Sequence, residues 1–403
     1  MKKGLLLIML LLPVMIWSQE ITFKDEEQDL PKAGFSLGKF VFAPSIEVLY
    51  EFKDNIFLTE FNEVSDELLT VRPRLVLELP KEDSYFRLGW LPQYRKFKDY
   101  DLDQQWTNFF NLMGKIKTSG GLELKFLDDY TYKGALEVSQ IDPGQELLFY
   151  STPFNRNYFQ FDMNYFFNDT NGFGLSADRI DLDTDCTHCE ALWYDYVHSF
   201  YGASYQRYMN PLLRMALGVN LVQFDPENTL ATRGYDGFEY FLRFYGDLSP
   251  TVNATIRVGY QDLSYDYSDY NYKDWDAEAQ FLWNFVNDDN LTVTAARTVN
   301  ASNYQEAISF TSNTVRLTYN FRPSRKLFAA VGGTAGRNDY NFFSRTDDTW
   351  NVYGNIGYHF GQLTSLRVNL VHEERTSTED SAACWQGCDY TSNTILLNFI
   401  MGY

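Results

Sequence analysis

Asn393-Thr-Ile-Leu-Leu-Asn-Phe-Ile-Met-Gly-Tyr403 ends the chain. Taken two residues at a time, it sets Ile395, Leu397, Phe399, Met401 and Tyr403 on one face. Thr394, Asn398 and Gly402 fall on the other, with Leu396 and Ile400 as apolar exceptions. Successive side chains of a β-strand point to opposite sides of the sheet, so this is one apolar face backed by a mixed one. A strand of this pattern that stops on an aromatic residue predicts the closing strand of an outer-membrane β-barrel. The competing reading is a buried terminal strand of a soluble β-protein.

The same alternation recurs upstream. Leu213, Met215, Leu217, Val219 and Leu221 alternate with Arg214, Ala216, Gly218, Asn220 and Val222. Val252, Ala254, Ile256, Val258 and Tyr260 alternate with Asn253, Thr255, Arg257 and Gly259, and Val315 to Phe321 alternate with Thr314 to Arg322. The apolar set is expected to face lipid, where a basic side chain near the midplane costs about 2–4 kcal/mol, and the polar set a wet interior. Short turns rich in Gly, Pro, Asn, Asp and Ser punctuate these segments: Pro80–Ser84, Ser119–Gly121, Asn168–Gly172, Asn210–Pro211, Leu248–Pro250, Asn287–Asn290, Pro323–Lys326 and Gly361–Thr364. Longer connections lie between them, around Phe52–Glu67, Gln140–Thr152, Asn338–Thr346 and Thr376–Tyr390. Short turns on one side and long loops on the other predict an all-β fold: a transmembrane antiparallel up-and-down barrel. About eighteen strands are expected, with sixteen as the near alternative.

The first residues read differently. Lys2 and Lys3, the apolar run Leu5 to Leu12 and the small Ser18 form a secretory signal peptide over residues 1–18. Residues 19–43 read as a short periplasmic lead and 44–403 as a single barrel domain. No later stretch has the roughly 20 consecutive apolar residues of a spanning helix. The 29 Tyr and 33 Phe fit the aromatic girdles of a barrel wall. A net charge of −20 argues against nucleic acid, whose phosphates require a basic face. The acid gathers at Lys24–Asp29, Asp54–Glu67, Lys98–Asp103, Asp181–Asp185 and Asp262–Asp269, either as solvated loop tips or as carboxylates bridged by divalent cations.

Arginine recurs on the inward phase at Arg72, Arg74, Arg87, Arg95, Arg214, Arg243, Arg257, Arg316 and Arg367, with Lys115 and Lys125. Glu47, Glu78, Glu239, Asp276 and Glu278 share that phase. Two expectations stand side by side. Opposed charges brace the wall at about 0.2–1 kcal/mol per pair. Alternatively, the arginines line a pore and pass anionic or hydroxylated solutes through their fork of fixed donors. Tyr353 and Phe241 on the same phase offer flat apolar surface to a sugar ring.

Cys186 and Cys189, and Cys384 and Cys388, fall in two long loops expected outside the cell, so disulfides are the default, one within each loop or across the two. A metal site including His188 is the weaker alternative, and no metal or cofactor is expected. The histidines are His188, His198, His359 and His372. No catalytic motif accompanies them; a rim Ser–His pair would need His359 or His372 beside a strand-borne serine. No catalytic residue is therefore assigned.

Pro44 to Thr59, with Ser65-Asp66-Glu67-Leu68 and Arg72-Pro-Arg-Leu75, resembles the opening of the putative β-barrel porin 2 family. Asp54, Asn55, Ile56 and Phe57 match its turn, while Lys53 stands where a second acid is usual. Beyond about Tyr100 the likeness is architectural. The resemblance implies an outer-membrane barrel associated with exopolysaccharide or capsule export and a periplasmic export protein as partner. Asp54 and Asn55 read as side chains that bond the backbone of the first external loop. The expectation is thus a conduit for exported polysaccharide, with a diffusion porin for small anionic or sugar nutrients as the alternative and a plugged adhesive barrel as a third class. The expected surroundings are outer-membrane lipid and, through the C-terminal strand, the barrel-assembly machinery.

Overall fold

A computed structural model describes residues 34–58, 60–81, 84–100, 106–135, 153–184, 195–226, 234–266, 271–285, 289–301, 309–340, 344–361, 363–378 and 389–402. These residues form β1 Phe35–Leu37, β2 Phe40–Lys53, β3 Asp66–Lys81, β4 Ser84–Phe97, β5 Trp106–Lys117, β6 Leu122–Ala135, β7 Pro153–Phe166, β8 Asn171–Thr184, β9 Tyr196–Tyr208 and β10 Leu213–Pro226. They continue as β11 Tyr235–Ser249, β12 Val252–Tyr265, β13 Asn271–Asn284, β14 Asn290–Ala301, β15 Ser309–Phe321, β16 Leu327–Tyr340, β17 Thr346–His359, β18 Thr364–Ser377 and β19 Tyr390–Gly402.

Each strand from β2 onward pairs antiparallel with the next, and β19 pairs back with β2, from Thr394 opposite Lys53 to Gly402 opposite Ser45. Eighteen strands therefore close on themselves, as the alternation predicts. The strand ends joined by the eight short turns lie together on one rim, and those joined by the long connections on the other. The signal segment and the four cysteines lie outside the described residues. The expected lead is partly built into the wall, because β2 begins at Phe40. The three residues of β1 pair with Phe40 to Phe42 just past the point where β19 ends.

The alternation resolves into two walls. Leu217 lies between Tyr205 and Leu242, and Leu242 opposite Val258, in one row of exposed side chains. Ile395, Leu397, Phe399 and Met401 are likewise exposed, and Ile395 and Leu397 lie opposite Phe52 and Tyr50. In water such a surface would be untenable; in a bilayer it is the required one. Rings bound the band. Trp90 stacks on Phe110 (6.4 Å) and Phe110 on Tyr130 (6.4 Å) toward the loops, while Tyr165–Phe173 (5.5 Å) and Tyr358–Phe360 (5.2 Å) flank the turns.

The outer wall departs from this rule on β6 to β8, as it also does at Arg297 on β14, which lies over the exposed Trp275. Asp128 on β6, Phe159 on β7 and Arg179 on β8 are successive neighbours in one outward row. A carboxylate there sits one residue pair toward the turns from the exposed ring of Tyr130.

The interior differs from the expectation as well. Toward the loops, Val222, Phe224, Tyr235, Leu263, Tyr265 and Tyr272 form a buried apolar cluster on the inward phase of β10 to β13, with Tyr196 and Phe200 packed against it. His198 joins them, its ring 4.4 Å from Phe200. On β10 to β13 the inward face turns from polar at mid-height to aromatic near the loop rim, so strict alternation assigns the side of a residue but not its solvent.

Candidate functional site

The residues singled out as inward arginines all lie on the face opposite the exposed apolar set, because each shares a register phase with the inward residues of its neighbours. They divide by what holds them. Arg72 donates to Glu47 (3.0 Å) and Gln93 (2.8 Å), and Asn398 donates to Glu47 (2.6 Å), which runs one network over β19, β2, β3 and β4. Arg87 is paired with Glu78 (2.7 Å) directly across the β3–β4 ladder. Arg257 is buried between Glu239 and Asp276, contacting both, and Asn220 donates to Glu239 (2.6 Å). These three are the braces of the wall, and their charge is spent locally.

Arg214 is held otherwise. Its guanidinium lies over the rings of Tyr208 (4.6 Å), Phe166 (4.9 Å) and Tyr245 (5.1 Å). It donates to the hydroxyls of Tyr245 (3.0 Å) and Tyr208 and to Gln206 (3.5 Å). All these partners are neutral, so its orientation is fixed while its charge is not cancelled. Arg243 lies diagonally from Arg214 on the next strand and over the ring of Phe241 (5.7 Å). It forms no salt bridge among the described residues, although its field reaches Asp162 on β7. Arg316 donates to the Thr334 hydroxyl (3.4 Å). Arg367 lies over Phe328 (5.1 Å), and Arg74 and Arg95 are buried in the wall of β3 and β4. Of the two inward lysines, Lys115 and Lys125 both reach Glu123 at 3.3 Å.

The floor between Asp162 and Arg243 is small. Gly174, Ser176, Gly202, Ser204, Ala216 and Gly218 occupy the inward phase of β8, β9 and β10. Phe241 lies flat over Gly218, where a Cβ would meet its ring, and Tyr353 lies over Gly332 in the same way while bonding Thr318. The two rings noted in the sequence are thus fitted into glycine recesses rather than standing free.

Several inward charges carry no flag in the short alternating segments. Arg375 follows Arg367 at the same phase and lies over Tyr390 (4.6 Å); extending the β18 period by four pairs of residues reaches it. Arg345 grips Asp347 with two bonds (2.8 and 2.7 Å), and Ser377 donates to the same carboxylate (2.6 Å). Arg345 precedes β17, so period two says nothing of it.

Corrections fall on three smaller readings. Asp54 does not bond its own loop but accepts from the Asn393 backbone (2.7 Å) and side chain (2.6 Å), and Asn55 beside it donates to the Thr391 carbonyl (3.2 Å). They latch the first loop to the last strand. Several acids assigned to loop tips belong to strands, including Asp181 in β8 and Asp262 in β12, where Asp262 accepts from Lys273 (2.8 Å). Asp66 begins β3 and accepts from the backbones of Asp99 (3.2 Å) and Tyr100 (2.9 Å). At the same rim Lys98, beyond the end of β4, is held above its usual range by its hydrogen bond to Glu67. His359 does stand opposite Ser365, but its ring neighbour is Phe328 (4.7 Å), and His372 bonds Asn393 (2.8 Å).

Residues 223–401 match the family model described as putative beta-barrel porin 2. That is the family the opening hairpin resembles, reached independently through β11 to β19. No curated protein matches the chain. Among solved structures, OccK2 (OpdF) of Pseudomonas aeruginosa in complex with glucuronate is similar at 12% identity and a TM-score of 0.51, over 92% of this chain and 100% of that one. OpdK of the same organism with vanillate is similar at 11% identity and a TM-score of 0.50, over 90% and 99%. At such identity the likeness is one of fold. The porin match and the closed barrel place the protein in the bacterial outer membrane, as a porin-like β-barrel channel.

Proposed function

We propose that this barrel is a passive outer-membrane channel for small anionic solutes, hydroxylated carboxylates foremost. One observation carries the reading: Arg214, with Arg243 beside it, is fixed by rings, hydroxyls and an amide instead of carboxylates. A guanidinium oriented by neutral partners keeps its attraction for a passing anion, whereas one paired with glutamate does not. The acidic excess of the chain does not oppose this, because selectivity is set by the charges that line the narrow path and not by the sum. Barrels of eighteen strands are wide enough for an aqueous path. Two barrels of similar fold have structures with vanillate and with glucuronate, both carboxylates. No catalytic arrangement is invoked.

The resemblance of the opening hairpin favours a second reading, a conduit for exported polysaccharide. Its matching residues, Asp54 to Phe57, serve the barrel seam, so they give that reading no site. Liposome swelling separates the two. Proteoliposomes of the full chain should swell in small sugar acids faster than in neutral sugars of equal size; permeation indifferent to charge would contradict the proposal.

A further inference from the structure

Asp128, Phe159 and Arg179 form an acid–aromatic–base row on the lipid-facing wall, one residue from each of three adjacent strands. Asn157 bonds Asp128, and Asp181 accepts from Arg179 (3.1 Å). The exposed side chains of Tyr130, Leu175 and Tyr201 lie around the row. An acid and a base set on either side of an exposed ring offer a complementary surface to a partner outside the barrel.

We infer that this row is the contact between two copies of the chain, related by a twofold axis along the membrane normal that passes beside Phe159. Neighbouring strands lie about 4.8 Å apart, so Asp128 and Arg179 stand roughly 10 Å apart with Phe159 midway. A twofold axis exchanges left and right. The acid of one copy then faces the base of the other, twice, and the two Phe159 rings meet between them. A twofold contact requires a self-complementary patch, and an acid and a base spaced evenly about an aromatic residue make one. Strand tilt sets Arg179 nearer the loop rim than Asp128, and a long arginine stem bridges such an offset. An anionic lipid headgroup fits the row less well, because Asp128 and Asp181 flank the only cation in it.

The test uses the full chain in native outer membrane with a photo-crosslinking phenylalanine analogue at 159, scored as covalent dimer. The unsubstituted row should crosslink. Asp128→Arg and Arg179→Asp should each reduce the dimer at least tenfold, and the double charge swap should restore it. Heat-modifiable migration confirms that each variant is a folded barrel; Asp128→Asn and Arg179→Gln replace any that is not. Absence of dimer with the native row, a crosslink to lipid alone, or single reversals that crosslink as well as the native row would each overturn the inference.

Discussion

Asp54 and Asn393 are joined twice across the seam of the barrel, once through the Asn393 backbone and once through its side chain. The pair closes the cylinder where the first loop meets the last strand. Ile56, two residues on, is buried with Phe97, and Phe57 stands edge-on to Tyr100 (5.2 Å). The sequence motif of the opening hairpin is therefore a latch. Asp54→Ala should lower unfolding stability by about 1.5 kcal/mol, the scale of a charge-assisted bond in a partly solvated place. Urea titration of the barrel in lipid vesicles reads it, and an unchanged midpoint would show that the seam does not depend on this pair.

Arg257 is a brace with two acids, all three buried. Removing the cation alone strands two carboxylates, so Arg257→Ala should cost roughly 3–5 kcal/mol. Combining it with Glu239→Gln and Asp276→Asn should recover most of that loss in the same titration. A single variant as stable as the native chain would place the triad outside the energetics of the wall.

Gly332 makes room for Tyr353. A branched side chain at 332 forces the ring off the wall, and Gly332→Val should cost about 1–3 kcal/mol through overpacking. Single-channel conductance should fall as the ring moves inward, and adding Tyr353→Ala should return it. Conductance unmoved by Gly332→Val would mean that this recess is remote from the path.

The fold was legible because its physics is written at period two. Leu213 to Leu221 and Ile395 to Met401 face lipid, and the turns at Asn210 and Pro323 sit where the chain reverses. Side was also legible: Arg214 and Arg257 are both inward. What each arginine touches was not, because Glu239 and Asp276 lie on other strands, and only register brings them to Arg257 while leaving Tyr208 and Tyr245 for Arg214. The aromatic cluster around Phe224 and Tyr235 was hidden for a related reason. Alternation separates the two faces of a strand but does not report what covers the inner one. The role of Asp54 was misread because its partner lies at the other end of the chain.

The reversal potential of the reconstituted channel under a salt gradient tests the central claim most directly. The native protein should favour anions, and Arg214→Gln with Arg243→Gln and Arg316→Gln should move the potential toward cations. A cation-selective native channel, or a potential unmoved by the three substitutions together, would contradict it.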